Sequence, residues 1–435
     1  MSIPPFRIII SGVLFECFYQ NNGIVLSNTP PSNSPLFSSD QVLWALPHTS
    51  RQVEILQNLT TAFQVVLWQP DSPRNIMKNK EVHFYVNISD VDDVKAALNR
   101  SAILYRVSLE DVHKIIVTQT ANDTVSPRSS ASFYEQYHSL KVIYSWMEEI
   151  AAQHSDIIQK ISIGASYEKR SLYILKLSNG NGTQKNAIWI DCGIHAREWI
   201  SPAFCLWFIG HATQSLSRDS ALAGLLQHLD FYIMPVMNVD GYEYTWTTDR
   251  MWRKNRSIHG SNRCIGTDLN RNFDAGWCGK GASNDACENT YCGPYPESEP
   301  EVKAVANFLR KHKDHIKAYI TMHSYSQMVL FPYSYTRNYS KDHDELKFLA
   351  NKVASAIKAT YRNHYLAGSG AQTIYLAPGG SDDWAYDLGI KYSFTFELRD
   401  KGRYGFLLPQ HLIKPTCFEA LTGIKIIASH VIRNV

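Results

Sequence analysis

Residues 37–115 alternate short apolar runs with amphipathic segments, and we assign them to a first domain. Alternating apolar and polar side chains predict strands at 41–46, 63–68, 82–86 and 104–107. Residues 50–61 carry apolar side chains at helical spacing, and residues 90–98 begin with acidic side chains, as helix N-termini prefer. The resulting order, β-α-β-β-α-β, is typical of an α+β open sandwich.

Apolar periodicity disappears between this domain and the rest of the chain. Residues 118–132 are mostly small and polar, and they include Pro127, Arg128 and Ser129. We assign residues 116–128 to an exposed linker. A single Arg in such a linker suits a trypsin-like protease, because proteolysis needs local unfolding. Most linkers that contain an Arg are nevertheless only linkers.

Residues 129–435 have the pattern of one large α/β domain. Residues 140–152 have the spacing of an amphipathic helix. Five short apolar runs predict buried strands at 172–177, 187–190, 231–236, 318–322 and 392–396. Runs of this kind are typical of a mixed or mainly parallel sheet that is covered on both faces.

Composition and charge exclude several classes of protein. Hydrophobic residues make up 44% and charged residues 19%, an ordinary globular balance. The net charge of +3 and the lack of long Lys/Arg runs argue against nucleic-acid binding. The apolar run at 8–15 follows Arg7 and is too short to span a membrane. It predicts a signal segment within residues 1–36, and therefore a secreted, extracellular protein.

Sequons and cysteines agree with export. The chain has seven Asn-x-Ser/Thr sequons, and we predict glycosylation at the four that precede residue 125: Asn58, Asn87, Asn99 and Asn122. Six of the eight cysteines fall between residues 192 and 292, which suggests disulfides without fixing their pairing. A zinc cluster is the alternative, although no Cys-x-x-Cys pair occurs.

Three places carry side chains that suit metal binding or proton transfer. His195 and Glu198 follow an apolar run at i, i+3 spacing, and both side-chain types bind zinc. His323 and Glu397 end two further runs, where ligand sites of α/β sheets gather. Each has a structural explanation when taken alone: a chance pair, a satisfied polar histidine, and a salt bridge to Arg399.

Five motifs together are more specific than any of these positions. They are DCGIHAREWISP at 191–202, MWRKNR at 251–256, DLNRNF at 268–273, HSYSQ at 323–327 and FELRD at 396–400. In order and spacing they resemble the pancreatic-type zinc carboxypeptidases, from about residue 38 to the C-terminus. The resemblance implies a mixed eight-stranded sheet with helices on both faces, preceded by an α+β open-sandwich pro-domain over the active-site mouth.

The resemblance also implies a role for each matched side chain. One zinc ion per chain would be held by His195, Glu198 and His323. Glu397 would act as the general base, and Arg253 would stabilise the oxyanion.

The implied substrate contacts explain how one terminal residue is selected. Asn270, Arg271 and Tyr375 would hold the C-terminal carboxylate, a planar anion that matches a guanidinium. Arg197 and Tyr325 would place the residue before the scissile bond.

The implied specificity is for a basic terminal residue. Asp382 would pair with a substrate Lys or Arg, because an acid in a closed pocket needs a cationic partner. The neighbouring Asp383 is assigned a structural role, and the small Gly370 and Ser334 would leave room for a long side chain.

Three disulfides are implied by the same resemblance, with Cys417 left free: Cys192–Cys205, Cys264–Cys287 and Cys278–Cys292.

Residues 41–47, residues 125–128 and the sequon-rich pro-segment resemble the branch of the family that circulates in plasma. This implies cleavage after Arg128 by a thrombin- or plasmin-type protease, with Ser129 as the new N-terminus. It also implies removal of C-terminal Lys from partly degraded fibrin, which slows fibrinolysis. The alternatives are a digestive or granule procarboxypeptidase B and, in another class, a catalytically silent secreted binding protein on the same fold.

Overall fold

The computed structural model describes residues 39–121, 123, 133–179, 185–215, 218–259 and 264–435. Of residues 1–38, which form a separate unit, it describes two antiparallel strand pairs: β1 (Arg7–Ile10) with β2 (Val13–Glu16), and β3 (Phe18–Gln20) with β4 (Gly23–Val25). The predicted signal segment lies in this unit. The other residues of this unit lie outside the part of the chain that the structure describes, and so do Asn122, Arg128 and Ser129.

The predicted pro-domain is a four-stranded antiparallel sheet with helices. Its elements are β5 (Gln41–Leu46), α1 (Ser50–Ala62), β6 (Val65–Gln69), β7 (Val82–Val86), α2 (Val91–Arg100), β8 (Leu104–Leu109) and α3 (Val112–Thr120). The strand order is β6-β7-β5-β8. A capping box of Thr49 and Gln52 starts α1. Helices α1 and α2 bury Leu56 and Val94 in one core with Phe84 of the sheet.

Helix α3 occupies residues that we assigned to the linker. The predicted boundary at residue 115 falls inside it, and residues 116–120 are helical. Its apolar face is covered by the second domain: Val112 packs in a cluster with Leu407, and Gln119 donates a hydrogen bond to the Leu408 carbonyl at 3.0 Å. The local sequence could not reveal this helix, because its stabilising partner lies nearly 300 residues away.

The second domain contains eight strands and nine helices within the described residues. Its strands are β9 (Ile158–Ala165), β10 (Ser171–Leu177), β11 (Asn186–Cys192), β12 (Leu229–Met234), β13 (Ile316–Ser324), β14 (Met328–Phe331), β15 (Leu366–Ser369) and β16 (Tyr392–Leu398). Its helices are α4 (Leu140–Gln153), α5 (Ile200–Ser215), α6 (Ser220–His228), α7 (Val239–Thr247), α8 (Pro300–His312), α9 (His343–Tyr361), α10 (Gly370–Thr373), α11 (Ser381–Asp387) and α12 (Ile413–Asn434). Short 3₁₀ helices connect several of these elements, among them Leu269–Arg271 and Gly405–Leu407.

The eight strands form one mixed sheet in the order β15-β14-β16-β13-β11-β12-β10-β9. Strands β16, β13, β11 and β12 run parallel at its centre. Helices cover both faces. Tyr232 of β12 contacts Phe308 of α8, with ring centroids 5.3 Å apart, whereas the adjacent Phe231 contacts Phe208 of α5 at 5.6 Å. Since neighbouring side chains in a strand point to opposite faces, α8 and α5 lie on opposite sides. The predicted fold class is confirmed.

The parallel strands bring their carboxyl ends to one edge of the sheet. His323 of β13 is the register partner of Glu397 of β16, and β11 ends three residues before His195. Ligand sites of open α/β sheets form at such edges. Cys192, at the end of β11, is joined to Cys205 of α5, and the disulfides Cys264–Cys287 and Cys278–Cys292 brace the loops around Asp268. These are the implied pairings, and Cys417 is free and buried.

None of the helices in the described part of the chain combines the length and the apolar character needed to cross a bilayer.

Candidate active site

Two imidazoles and one carboxylate converge at the edge of the sheet. The ligand atoms of His195, Glu198 and His323 all lie within 4.8 Å of one another, and all three side chains are buried. Glu198 Oε1 is 2.8 Å from His195 Nδ1, and Glu198 Oε2 is 3.2 Å from His323 Nδ1. Burial alone would raise the pKa of Glu198, but the two imidazoles lower it well below its usual range.

This group fits a zinc ion. Two imidazole nitrogens and one carboxylate form a three-ligand set typical of catalytic zinc, in which the fourth position stays open. The facing Nδ1 atoms of His195 and His323 are 3.2 Å apart, so both rings turn the same nitrogen towards Glu198. His195 Nε2 lies 3.1 Å from the buried Asp268 carboxylate, which orients the ring as carboxylate partners of zinc-binding histidines do.

Glu397 and Arg253 flank this group. Removal from bulk water raises the pKa of Glu397 to about 8, against the opposing influence of His323 and Arg253. Arg253 donates to Asp268 through Nε at 3.1 Å and Nη2 at 2.9 Å, a geometry that fixes the guanidinium plane. Since Asp268 contacts both His195 and Arg253, one buried carboxylate positions two of the predicted functional side chains.

A second cationic group in the cavity is already paired with an acid of the pro-domain. Arg271 Nη2 donates to Asp71 Oδ2 at 2.6 Å, and Arg253 Nη2 lies 3.7 Å from the same oxygen. Asp71 is 4% exposed and Arg271 is 3% exposed, so this ion pair is shielded from water. The Asn270 side chain accepts from the Ser381 N–H at 2.9 Å, and Tyr375 lines the same cavity.

The end of β6 lines the cavity through Trp68 and Gln69. Trp68 packs against Tyr325 and Phe406, with ring centroids 6.3 Å and 5.1 Å away. Arg197 donates to the Leu67 carbonyl at 3.2 Å. The remaining cavity has a volume of about 90 Å³ and is lined by both domains. The pro-domain therefore occupies the predicted substrate cleft.

Tyr325 is held by a further pro-domain side chain. His83 Nδ1 lies 2.8 Å from the Tyr325 hydroxyl, and the two rings stack with centroids 5.9 Å apart. Burial lowers the pKa of His83, although the nearby Glu81 raises it. A side chain at Gly402 would collide with the His83 ring, because an added Cβ would stand 2.2 Å from it.

Asp382 lies on the wall of the cavity without a basic partner. It is 4% exposed, and its Oδ2 accepts from the Thr395 hydroxyl at 2.9 Å. No Lys or Arg within residues 39–435, where the structure describes them, forms a salt bridge with it. Burial raises the pKa of Asp382, while the Thr395 hydrogen bond opposes this shift.

The neighbours of Asp382 shape the pocket. Asp383 accepts backbone N–H groups of Ser334 and Tyr335 at 2.8 to 3.0 Å and fixes the loop that carries them. Ser334 lines the cavity, and an added Cβ at Gly370 would stand 1.9 Å from its hydroxyl oxygen. Two small residues therefore touch here, where larger ones would not fit.

The structure brings the predicted site residues together. All of the predicted ligands, catalytic residues and substrate contacts line the cavity, except Arg197, which is fully buried beneath Phe406. Sequence reasoning missed Asp71, His83 and Thr395. Asp268 was visible only as the first letter of the motif DLNRNF.

Comparison with known proteins agrees with this geometry. The sequence model of the zinc carboxypeptidase family matches residues 143–423, and that of the carboxypeptidase activation peptide matches residues 43–119. Carboxypeptidase B2 of Rattus norvegicus is 65% identical over 400 residues, which covers 92% of this chain and 95% of the relative. Carboxypeptidase B of Bos taurus is 45% identical over 398 residues, with coverages of 92% and 94%.

A solved structure extends the similarity to three dimensions. The crystal structure of thrombin activatable fibrinolysis inhibitor is 62% identical and superimposes with a TM-score of 0.90, covering 92% of this chain and all of that one. The chain contains a group of side chains that fits zinc and a segment that matches the activation peptide. It is also similar to carboxypeptidase B along most of its length. The chain therefore belongs to the zinc carboxypeptidase family, as a zinc-dependent, basic-specific procarboxypeptidase of the carboxypeptidase B type.

Proposed function

We propose that this procarboxypeptidase is secreted, is activated by cleavage after Arg128, and then removes C-terminal Lys or Arg from peptides and proteins. The observation that carries the specificity is Asp382, a buried carboxylate on the cavity wall with a hydroxyl partner and no basic one among the described residues. A buried acid gains most from a cation of matching reach, and a substrate Lys or Arg supplies one.

His195, Glu198 and His323 are the proposed zinc ligands. A zinc ion held by them would polarise the scissile carbonyl and acidify a water molecule. Glu397 accepts the proton of the attacking water and passes it to the leaving amine. Glu397 lines the same cavity as the three proposed ligands, where it can both take and return a proton.

The two arginines of the cavity interact with different parts of the substrate. Arg253, fixed by Asp268, stabilises the negative charge that develops on the carbonyl oxygen. Arg271, with Asn270 and Tyr375, binds the terminal carboxylate. An internal peptide bond offers no anion to Arg271, so this contact restricts cleavage to the last residue.

The pro-domain blocks the site by supplying an anion of its own. The Asp71 carboxylate pairs with Arg271, the group proposed to bind the substrate carboxylate, while Trp68 packs over Tyr325. The proposed ligand group is assembled with the pro-domain in place. Activation therefore consists of opening the site to substrate. Cleavage after Arg128 does this by releasing residues 37–128.

The decisive experiment is Arg release from a blocked peptide ending in Arg, before and after limited cleavage by thrombin or trypsin. We expect a large rise in release, Ser129 as the new N-terminus, and loss of activity under a zinc chelator. The same peptide with an amidated C-terminus is the matched control and should not be cleaved. Clean cleavage at Arg128 without any Arg release would contradict the enzymatic function.

Partly degraded fibrin is the proposed protein substrate, as expected for the plasma branch. This rests on the solved relative, which is named as an inhibitor of fibrinolysis, and on the higher identity to carboxypeptidase B2 than to carboxypeptidase B. The activated enzyme should release Lys from plasmin-cut fibrin and prolong clot lysis. Unchanged lysis times, at an activity that removes Lys from small peptides, would argue for a digestive or granule role instead.

A further inference from the structure

The structure separates the seven sequons by accessibility. Asn58 and Asn99 are exposed on α1 and α2, and Asn87 is half-buried at the start of a short helix. Asn255 is fully buried, and its Nδ2 donates to Glu299 at 2.6 Å and to Glu301 at 3.2 Å. A glycan at Asn255 would break these hydrogen bonds and could not be accommodated in the core. Asn122 and Asn181 lie outside the described residues.

Asn338 is the remaining sequon, and unlike the buried Asn255 it is exposed. It forms Asn338-Tyr339-Ser340 in the loop between β14 and α9, where residues 337–339 are all exposed. Its backbone N–H donates to the Thr336 hydroxyl at 3.3 Å, whereas its side-chain amide has no hydrogen bond to any described residue. Tyr339 is 65% exposed, and its ring lies 4.0 Å from that of His343.

The loop is anchored on both sides of this tip, and on the C-terminal side Asp342 accepts from the Tyr386 hydroxyl at 2.7 Å. Ser334 and Tyr335 bind Asp383 through their N–H groups, and the Arg337 carbonyl accepts from Gln372 of α10 at 3.2 Å. The tip therefore stands on the outer side of the loop that forms one wall of the specificity pocket. A group attached there would leave the cavity itself open.

We propose that Asn338 carries an N-linked glycan, so that the catalytic domain stays glycosylated after the pro-segment has been removed. Cleavage after Arg128 takes away the four predicted sites, Asn58, Asn87, Asn99 and Asn122, but not Asn338. The proposal rests on the export proposed above, because the modification occurs in the secretory pathway.

The co-reactant is an oligosaccharide bound to a lipid through a diphosphate. The Nδ2 atom of Asn338 forms a bond to the anomeric carbon, the bond from that carbon to the diphosphate oxygen breaks, and Nδ2 loses one proton. The Ser340 hydroxyl, two residues on, completes the recognised sequon. The lipid diphosphate leaves with the bonding electron pair, and no oxidant or reductant takes part.

The experiment uses the full chain secreted from animal cells and then activated. Enzymatic removal of N-glycans in heavy-oxygen water converts each glycosylated Asn into a labelled Asp, which peptide mapping locates. We expect label at Asn338 and none at Asn255, which is an internal control in the same chain. In an Asn181→Gln background, Asn338→Gln and Ser340→Ala should abolish the mobility shift of the activated enzyme on deglycosylation, whereas Ser340→Thr should retain it.

Activity on a blocked dipeptide ending in Arg controls for folding and should be equal in wild type and Asn338→Gln, because Asn338 is outside the cavity lining. Unlabelled Asn338 in a secreted chain that is labelled at Asn58 or Asn99 would overturn the proposal. Label at Asn255 would overturn the burial argument on which it depends. A chain that stays in the cell without any glycan would instead refute the proposed export.

Discussion

Replacing Asp71 by Asn removes the anion with which the pro-domain occupies the cavity. The wild-type carboxylate accepts from Arg271 at 2.6 Å and lies 3.7 Å from Arg253, in a setting that is almost closed to water. Asparagine keeps the shape and one acceptor oxygen but not the charge. The docked state would then bury two guanidinium groups over a neutral side chain, whereas the undocked state leaves Arg271 free to meet solvent.

The size of the effect follows from the burial of the pair. Removing one partner of a buried ion pair costs about 3–5 kcal/mol. We take the lower end, about 3 kcal/mol, because asparagine retains a hydrogen bond and Asp268 still balances Arg253. Since every 1.4 kcal/mol is about a tenfold change in an equilibrium constant, the open fraction of the uncleaved chain should rise about a hundredfold.

The assay is Arg release from a small blocked peptide by the uncleaved chain. An Arg128→Gln background excludes traces of activated enzyme, and Asp92→Asn, on an exposed position of α2, is the matched control for loss of one pro-domain charge. We expect about a hundredfold higher kcat/KM for Asp71→Asn and no change for Asp92→Asn. If the uncleaved Asp71→Asn chain stayed within about twofold of its background, the ion pair would not hold the zymogen closed.

Three further variants test other parts of the structure. Asp382→Asn should lower kcat/KM for a peptide ending in Arg by about a hundredfold, as expected for a lost buried ion pair. It should not lower kcat/KM for a peptide ending in Leu, and equal losses on both peptides would refute the pocket assignment. His83→Phe keeps the ring stack on Tyr325 and loses the hydrogen bond to the Tyr325 hydroxyl, worth about 1 kcal/mol. The activity of the uncleaved chain should therefore rise about fivefold, and no rise would exclude this contact from latency. Burial raises the pKa of Glu301 to about 7, so its charged form is disfavoured in the fold and stability falls as pH rises from its ordinary value of 4.5 towards 7, by about 3 kcal/mol. Glu301→Gln should therefore gain thermal stability relative to wild type between pH 5 and pH 8, and a constant difference in Tm would contradict the shift.

The interior strands could be predicted from the sequence, whereas the edge strands could not. Strands β11, β13 and β16 overlap short, mainly apolar runs, because parallel central strands are buried on both faces. Strands β9 and β15 lie at the two edges of the sheet, where exposed positions interrupt the apolar pattern. We predicted neither of them. The four-residue β14, which pairs with β15, was also too short to stand out.

Some residues of the site could likewise be predicted from local sequence motifs, whereas others come together only in the folded chain. With 16 histidines in the chain, spacing could not identify His323, and the family motifs were needed to pair it with His195 and Glu198. Asp71 could not be found at all. Its partner Arg271 is 200 positions away, and nothing in its neighbourhood distinguishes it from an ordinary loop acid. A polar contact between two domains does not change the pattern of apolar and polar residues in either segment.

The pairing of Asp71 with Arg271 nevertheless follows from the chemistry of the site. An exopeptidase that recognises a terminal carboxylate must keep guanidinium groups in a cavity that closes over its substrate. A pro-domain that covers this cavity removes the same groups from water, and burying them without an anion would cost several kcal/mol. The pro-domain can therefore seal the site stably only by presenting a carboxylate where the substrate would. The features that make Arg271 selective for chain ends thus make it the natural anchor for an inhibitor carried in the same chain.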